Sequence, residues 1–178
     1  MRYWLQASTA TLGLVIGTAG FVSPARADTS LVACTGTQHI NWDPGLRLYT
    51  QEVTTSGGTN LSSCTDSEDP AITSGSSSFS GPEETSCLDL LSPPAGSETI
   101  TWNTAETTTF SWTASEIVVT GAAGNLIVTI TTDIESGKYA GRDIVYVLTS
   151  QSIDLLSCFP LFGNGLESAS GPAVLTIS

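Results

Sequence analysis

Basic side chains are nearly missing from this chain. Arg2, Arg26, Arg47, Lys138 and Arg142 are its only cations, set against 17 Asp and Glu residues in a length of 178. A protein so poor in positive charge has no electrostatic route to phosphate backbones or anionic lipid, which excludes nucleic acid and membrane surfaces as partners. Histidine is scarcer still, with His39 alone. No Cys-x-x-Cys or Cys/His spacing offers a metal site, no Gly-x-Ser-x-Gly elbow offers a serine nucleophile, and Gly137-Lys138 lacks the Ser or Thr of a phosphate loop. Neither a metal nor any other cofactor is expected. Helical periodicity is also scarce, and beyond the first 27 residues no apolar run is long enough to span a bilayer.

The one greasy run, Leu12 to Val22, follows Arg2 and precedes Pro24-Ala25-Arg26-Ala27 and then Asp28. Basic start, short apolar core and small-x-small exit make a secretory signal peptide over residues 1–27, leaving a single secreted β domain over residues 28–178. Arg2 and Arg26 leave with the peptide. Three cations then face all 17 acids, a net charge of −14, which favours solubility. Leu31-Val32-Ala33-Cys34 resembles the box at which bacterial lipoproteins are lipidated, but Arg26, Asp28, Thr29 and Ser30 separate it from the apolar core.

Four cysteines in an exported chain, Cys34, Cys64, Cys87 and Cys158, make an even set that closes two disulfides. Pairing Cys34 with Cys64 and Cys87 with Cys158 is favoured because each bridge then joins the edges of one sequence block. The other two pairings remain open.

Apolar residues recur with a period of two. Ile100 and Trp102, Phe110 and Trp112, Leu126 to Ile134, and Ile144, Tyr146 and Leu148 each line one face of a strand, with Thr at many alternate positions. Gly57-Gly58, the 121–125 stretch and Ser136-Gly137 read as turns. Strands are expected near 38–42, 46–55, 71–79, 97–103, 107–120, 125–134, 142–152 and 173–178, with another at 56–64. The architecture expected is an antiparallel β-sandwich, with an up-and-down β-barrel as the alternative. Single helical turns are expected at Cys87 to Leu91, before Pro93-Pro94, and at Leu155 to Phe159.

Ala33-Cys34-Thr35-Gly36-Thr37, Asp43-Pro44-Gly45-Leu46, Ser86-Cys87-Leu88-Asp89-Leu90-Leu91, Ile100-Thr101-Trp102-Asn103, Ser136-Gly137-Lys138-Tyr139-Ala140-Gly141 and Leu175-Thr176-Ile177, in that order, resemble a family of small secreted proteins common in actinobacteria. The likeness covers essentially the whole mature chain. It implies export and a cysteine-stapled β domain, with no established activity. Thr104-Ala105 stands where such proteins usually place a Gly after Trp-Asn.

Two function classes follow. The first is a non-catalytic extracellular domain, monomeric, that binds a carbohydrate or another surface protein or acts structurally. Its candidate ligand residues are Lys138, Tyr139 and Arg142, which gather two of the three mature cations beside a tyrosine, and Trp42, read as a surface aromatic next to Asp43-Pro44-Gly45. Trp102 and Trp112 share the inward period and read as core. The second class is a small secreted hydrolase acting on polysaccharide through paired carboxylates. Its candidates are Glu98, Glu106, Glu116, the Asp66-Glu68-Asp69 group and Glu83-Glu84. Asp66, Glu68 and Asp69 lack the Gly-containing loop and terminal Glu of a calcium site, and His39 reads as a strand-edge residue rather than a general base.

Processing is directly testable. Intact-mass measurement of secreted material is expected to place the mature N-terminus at Asp28; a start at an acylated Cys34 would instead make the protein surface-anchored.

Overall fold

A computed structural model describes residues 31–122, 125–151, 153, 155–159 and 163–178. The expected signal peptide and its cleavage point lie outside the described residues, as does the centre of the expected 121–125 turn. Nine strands run in chain order: β1 (Val32–Leu46), β2 (Gln51–Asp66), β3 (Gly75–Thr85), β4 (Gly96–Trp102), β5 (Thr107–Trp112), β6 (Ile117–Ala122), β7 (Asn125–Gly137), β8 (Asp143–Ser150) and β9 (Leu166–Ile177). All their pairings are antiparallel. The two expected helical turns form as short 3-10 turns, Asp89–Leu91 and Leu155–Cys158.

The sandwich expectation is corrected by the way the strands connect. They lie in the order β5-β4-β3-β2-β1-β9-β8-β7-β6, and β5 also bonds to β7, so eight strands close into a barrel and β6 extends one wall. Period-two patterning shows which face of a strand is buried but not which strands are neighbours, so it fits both architectures. The difference lies in three residue pairs: Thr108 with Gly137, Thr109 with Ser136, and Phe110 with Ile134.

The expected 107–120 strand is two strands. Thr113 and Glu116 form a reciprocal cap around a 3-10 turn at Ala114–Glu116, which breaks the chain between β5 and β6. The two halves then pair with different stretches of β7. Gly57-Gly58 is likewise no turn but the middle of β2, paired with β1 on one side and β3 on the other. A Cβ on Gly57 would stand 2.3 Å from the His39 carbonyl oxygen, and one on Gly58 would stand 2.2 Å from that of Ser77. The pair permits close strand approach rather than reversal.

Two apolar cores fill the barrel. The larger holds Trp102, Phe110, Ile134, Ile144, Leu175 and the Cys34–Cys64 disulfide; the smaller holds Trp42, Leu46, Val53, Leu166 and the Cys87–Cys158 disulfide. The favoured cysteine pairing is therefore the one formed. Cys34 and Cys64 already face each other across β1 and β2. Cys87 and Cys158 join the segment after β3 to the segment before β9, which belong to nearly opposite walls. Leu90 packs against that bridge, while Leu88, Leu91, Leu155 and Leu156 stay exposed.

Closure makes a sharp demand at Gly137, where φ is +87° and a Cβ would stand 2.0 Å from the Thr107 carbonyl oxygen. Gly141 also has positive φ, +80°, but open space around it. Gly137→Ala is expected to cost at least about 2 kcal/mol in urea unfolding, and Gly141→Ala only about 1 kcal/mol. Equal losses would show that the seam does not depend on the close approach.

Candidate functional site

The 137–142 loop sits where the barrel closes. Gly137, Tyr139 and Gly141 all adopt positive φ, folding the loop back over the seam. Lys138 donates to Asp69 at 2.7 Å and to Glu106 at 2.9 Å, and its side chain is 16% exposed. The hydrogen bonds to Lys138 hold both carboxyls below the usual range, and they raise the ammonium in turn. Tyr139, strained for a bulky residue at φ +68°, donates its hydroxyl to Asp66 and sets its ring edge-on against Trp102 at 5.8 Å between centroids. Burial, then Asp66, pushes the Tyr139 phenol up. Burial also pushes Asp66 up, but the Tyr139 hydroxyl and the backbone N–H groups of Asp69 and Glu68 outweigh it, so that carboxyl titrates low. Arg142 lies 3.5 Å from Glu68, and Arg47 donates to the Gly163 carbonyl at 2.8 Å.

Each cation of residues 31–178 is thus engaged within the protein. The loop that the sequence marks for ligand binding works here as a latch, joining the end of β7 to the loop after β2. A hollow of about 500 Å³ beside it includes Lys138, Tyr139 and Arg142.

Trp42 does not join them. The expectation of a surface aromatic is corrected: Trp42 is 5% exposed and packs in the smaller core. It falls on the inward phase of β1 with Gln38 and Ile40, a phase hidden in the sequence because Gly36 and Gln38 interrupt its apolar pattern. A second hollow, about 620 Å³, adjoins Trp42 and Glu167. The latch and Trp42 lie at opposite ends of β1, roughly 33 Å apart at strand rise.

Between the two cores lies a polar layer that the sequence does not announce. Tyr146 on β8 reaches across the barrel to β2 and β4, donating to Thr59 and standing 3.2 Å from Glu98 Oε1. Ser77 on β3 also donates to Glu98, and its hydroxyl accepts the Thr59 N–H at 3.1 Å. Gln38, directly opposite Thr59 on β1, donates to Ser150 Oγ at 3.0 Å, while its Oε1 has no hydrogen-bond partner. The one sequence signal is phase. Glu98 falls inward in the alternation Glu98, Ile100, Trp102, an acid where an apolar residue is expected.

The layer reaches solvent because β3 and β4 part. They pair only through Gly75 with Trp102 and Ser76 with Thr101, although both strands continue. Beyond that point the inner face of β3 carries Ser77, Phe79 and Glu83. Phe79 is 45% exposed, its ring over Gly57, and Glu83 accepts a hydrogen bond from Thr55.

Three further acids have local partners. Glu116 caps its 3-10 turn and accepts from Thr132. Asp133 and Asp143 face each other across β7 and β8 on the outside, and their shared hydrogen bond raises the Asp133 carboxyl. His39 is exposed between Gly58 and Ser170. No protein-family model, curated protein or solved structure matches the chain.

Burial raises the Glu98 carboxyl above its ordinary 4.5, against the lowering effect of Ser77 and Tyr146. The folded state therefore holds a proton that the unfolded chain releases, and this group withdraws stability as pH rises through that window. Glu98→Gln, which cannot ionise, is expected to gain stability relative to wild type between pH 4 and pH 7, read as a growing difference in urea midpoints. A difference that stays flat with pH would show that Glu98 ionises without penalty.

Proposed function

We propose that the chain is a secreted, non-catalytic extracellular domain that acts by binding, as a monomer, at the cell surface or in its surroundings. Export, and with it membership of the secreted actinobacterial family that the motifs resemble, belongs to the same proposal. Two disulfides support an oxidising compartment. Among the described residues no helix is long and apolar enough to cross a membrane.

The observation that carries the reading is the polar layer, carried on paired strands and bordered by the edge where β3 and β4 part. The arrangement of acids favours binding over turnover. Of the carboxylates facing the opening, Glu83 is anchored on Thr55 and Glu98, through Ser77, on Thr59. Four residues of β2, roughly 13 Å at strand rise, separate those anchors, so the two acids are held at separate points of the wall and share no partner. Asp133 and Asp143 are in contact instead, exposed on the outer face of β7 and β8.

The test is a panel of immobilised polysaccharides, cell-wall material and extracellular proteins probed with the purified mature domain, with product release assayed in parallel. Saturable binding without release is expected. Release of product from any polymer would overturn the non-catalytic reading, and no binding to any member would overturn the binding role.

A further inference from the structure

The parted edge between β3 and β4 has a definite chemistry. At its lip stands Phe79, an exposed aromatic ring on the inner face of β3. Behind it Ser77 and Glu98 are half-buried, and deeper still lie Thr59, the Tyr146 hydroxyl and Gln38. Gln38 is 3% exposed, its amide nitrogen is committed to β8, and its Oε1 is buried without a partner. A buried carbonyl oxygen without a partner is destabilising, so a group that donates to it recovers that loss. Glu98 adds a second acceptor, since both bonds it receives end on Oε1.

Resting on the reading of this domain as an extracellular binder, we propose that the cleft between β3 and β4 is a saccharide-binding site. In it Phe79 stacks on the apolar face of one sugar ring, while Gln38 Oε1 and Glu98 accept hydrogen bonds from the ring's hydroxyls. The requirements are unequal along the cleft, apolar at the lip and acceptor-rich inside. A sugar ring meets both, with C–H groups on one face and hydroxyl donors at its edge. The hydroxyls of Thr59, Ser77 and Tyr146 rotate to donate or accept, which suits a ligand carrying several hydroxyls. The 138–142 latch takes no part, because its charges are already paired.

The test uses 15N-labelled mature domain titrated with hexaoses of glucose, N-acetylglucosamine, xylose and mannose, with spermidine as the cationic control. Expected are shifts confined to residues 76–80 and 97–100 and to the Gln38 side-chain amide for at least one hexaose. Phe79→Ala, exposed enough to leave folding intact, should weaken that binding about tenfold, the loss of one stacked ring. Gln38→Leu should weaken it as well, with its melting curve checked beside wild type. Hexaose shifts centred on Lys138 and Tyr139, or unchanged affinity in Phe79→Ala, would overturn this site while leaving the binding role in place. Stronger binding of spermidine than of any hexaose would overturn the ligand class. No shift with any hexaose would overturn the inference outright, whatever the immobilised panel binds.

Discussion

Thr108 is fully buried at the one seam where the sheet closes on itself. Its hydroxyl accepts the Trp102 indole N–H at 2.8 Å and donates to the Lys138 carbonyl at 2.8 Å, while the Lys138 N–H reaches the Thr107 carbonyl at 2.7 Å. One side chain thus ties β4, β5 and the end of β7 together. Without that seam the nine strands would form an open sheet whose long edges invite pairing with other chains. The latch lies over the same point: Tyr139 carries Asp66, at the end of β2, and Lys138 carries Asp69, in the loop after it, onto the closure. Two of the three cations of residues 31–178, Lys138 and Arg142, thereby lie in this one latch.

The two disulfides do unlike work. Cys34 and Cys64 join residues that the β1–β2 ladder already holds opposite each other, so the bridge reinforces contacts within the larger core. Cys87 and Cys158, 71 residues apart in sequence, connect segments belonging to nearly opposite walls. The chain leaving β3 is carried over the end of the barrel to that bridge before β4 begins. Strand β4 therefore returns beside β5, paired over six positions, rather than along β3, which it meets at two. The opening that exposes the polar layer and the staple that closes the smaller core are two results of one chain path.

The strand pattern of the second half was legible because Ile, Val, Trp and Tyr alternate there with Thr. The first half was less so, since the inward phase of β1 runs through Cys34, Gly36 and Gln38, which no hydrophobicity pattern distinguishes from a loop. Gly57-Gly58 misled for a related reason. Glycine serves both turns and close strand approach, and only the neighbouring backbone shows which applies. Lys138 and Arg142 stood out as rare cations beside Tyr139, yet Asp69, Glu68 and Asp66, which partner the three, lie some seventy residues away, where sequence spacing is silent about contact. Of the polar layer, the inward phase of Glu98 was visible in advance. Gln38, Thr59, Ser77 and Phe79 acquire meaning from the strands placed beside them.

Local patterning by itself determined that this chain is all β, which faces of its later strands are buried, and that its four cysteines form two bridges. Those properties depend on residues close in sequence or on simple counts, through side-chain alternation and compartment chemistry. Only the tertiary structure decided between barrel and sandwich, buried Trp42 and opened the wall between β3 and β4. A β-ladder is made of backbone groups that every residue carries, so the choice of partner strand is encoded in long-range fit rather than in any local motif.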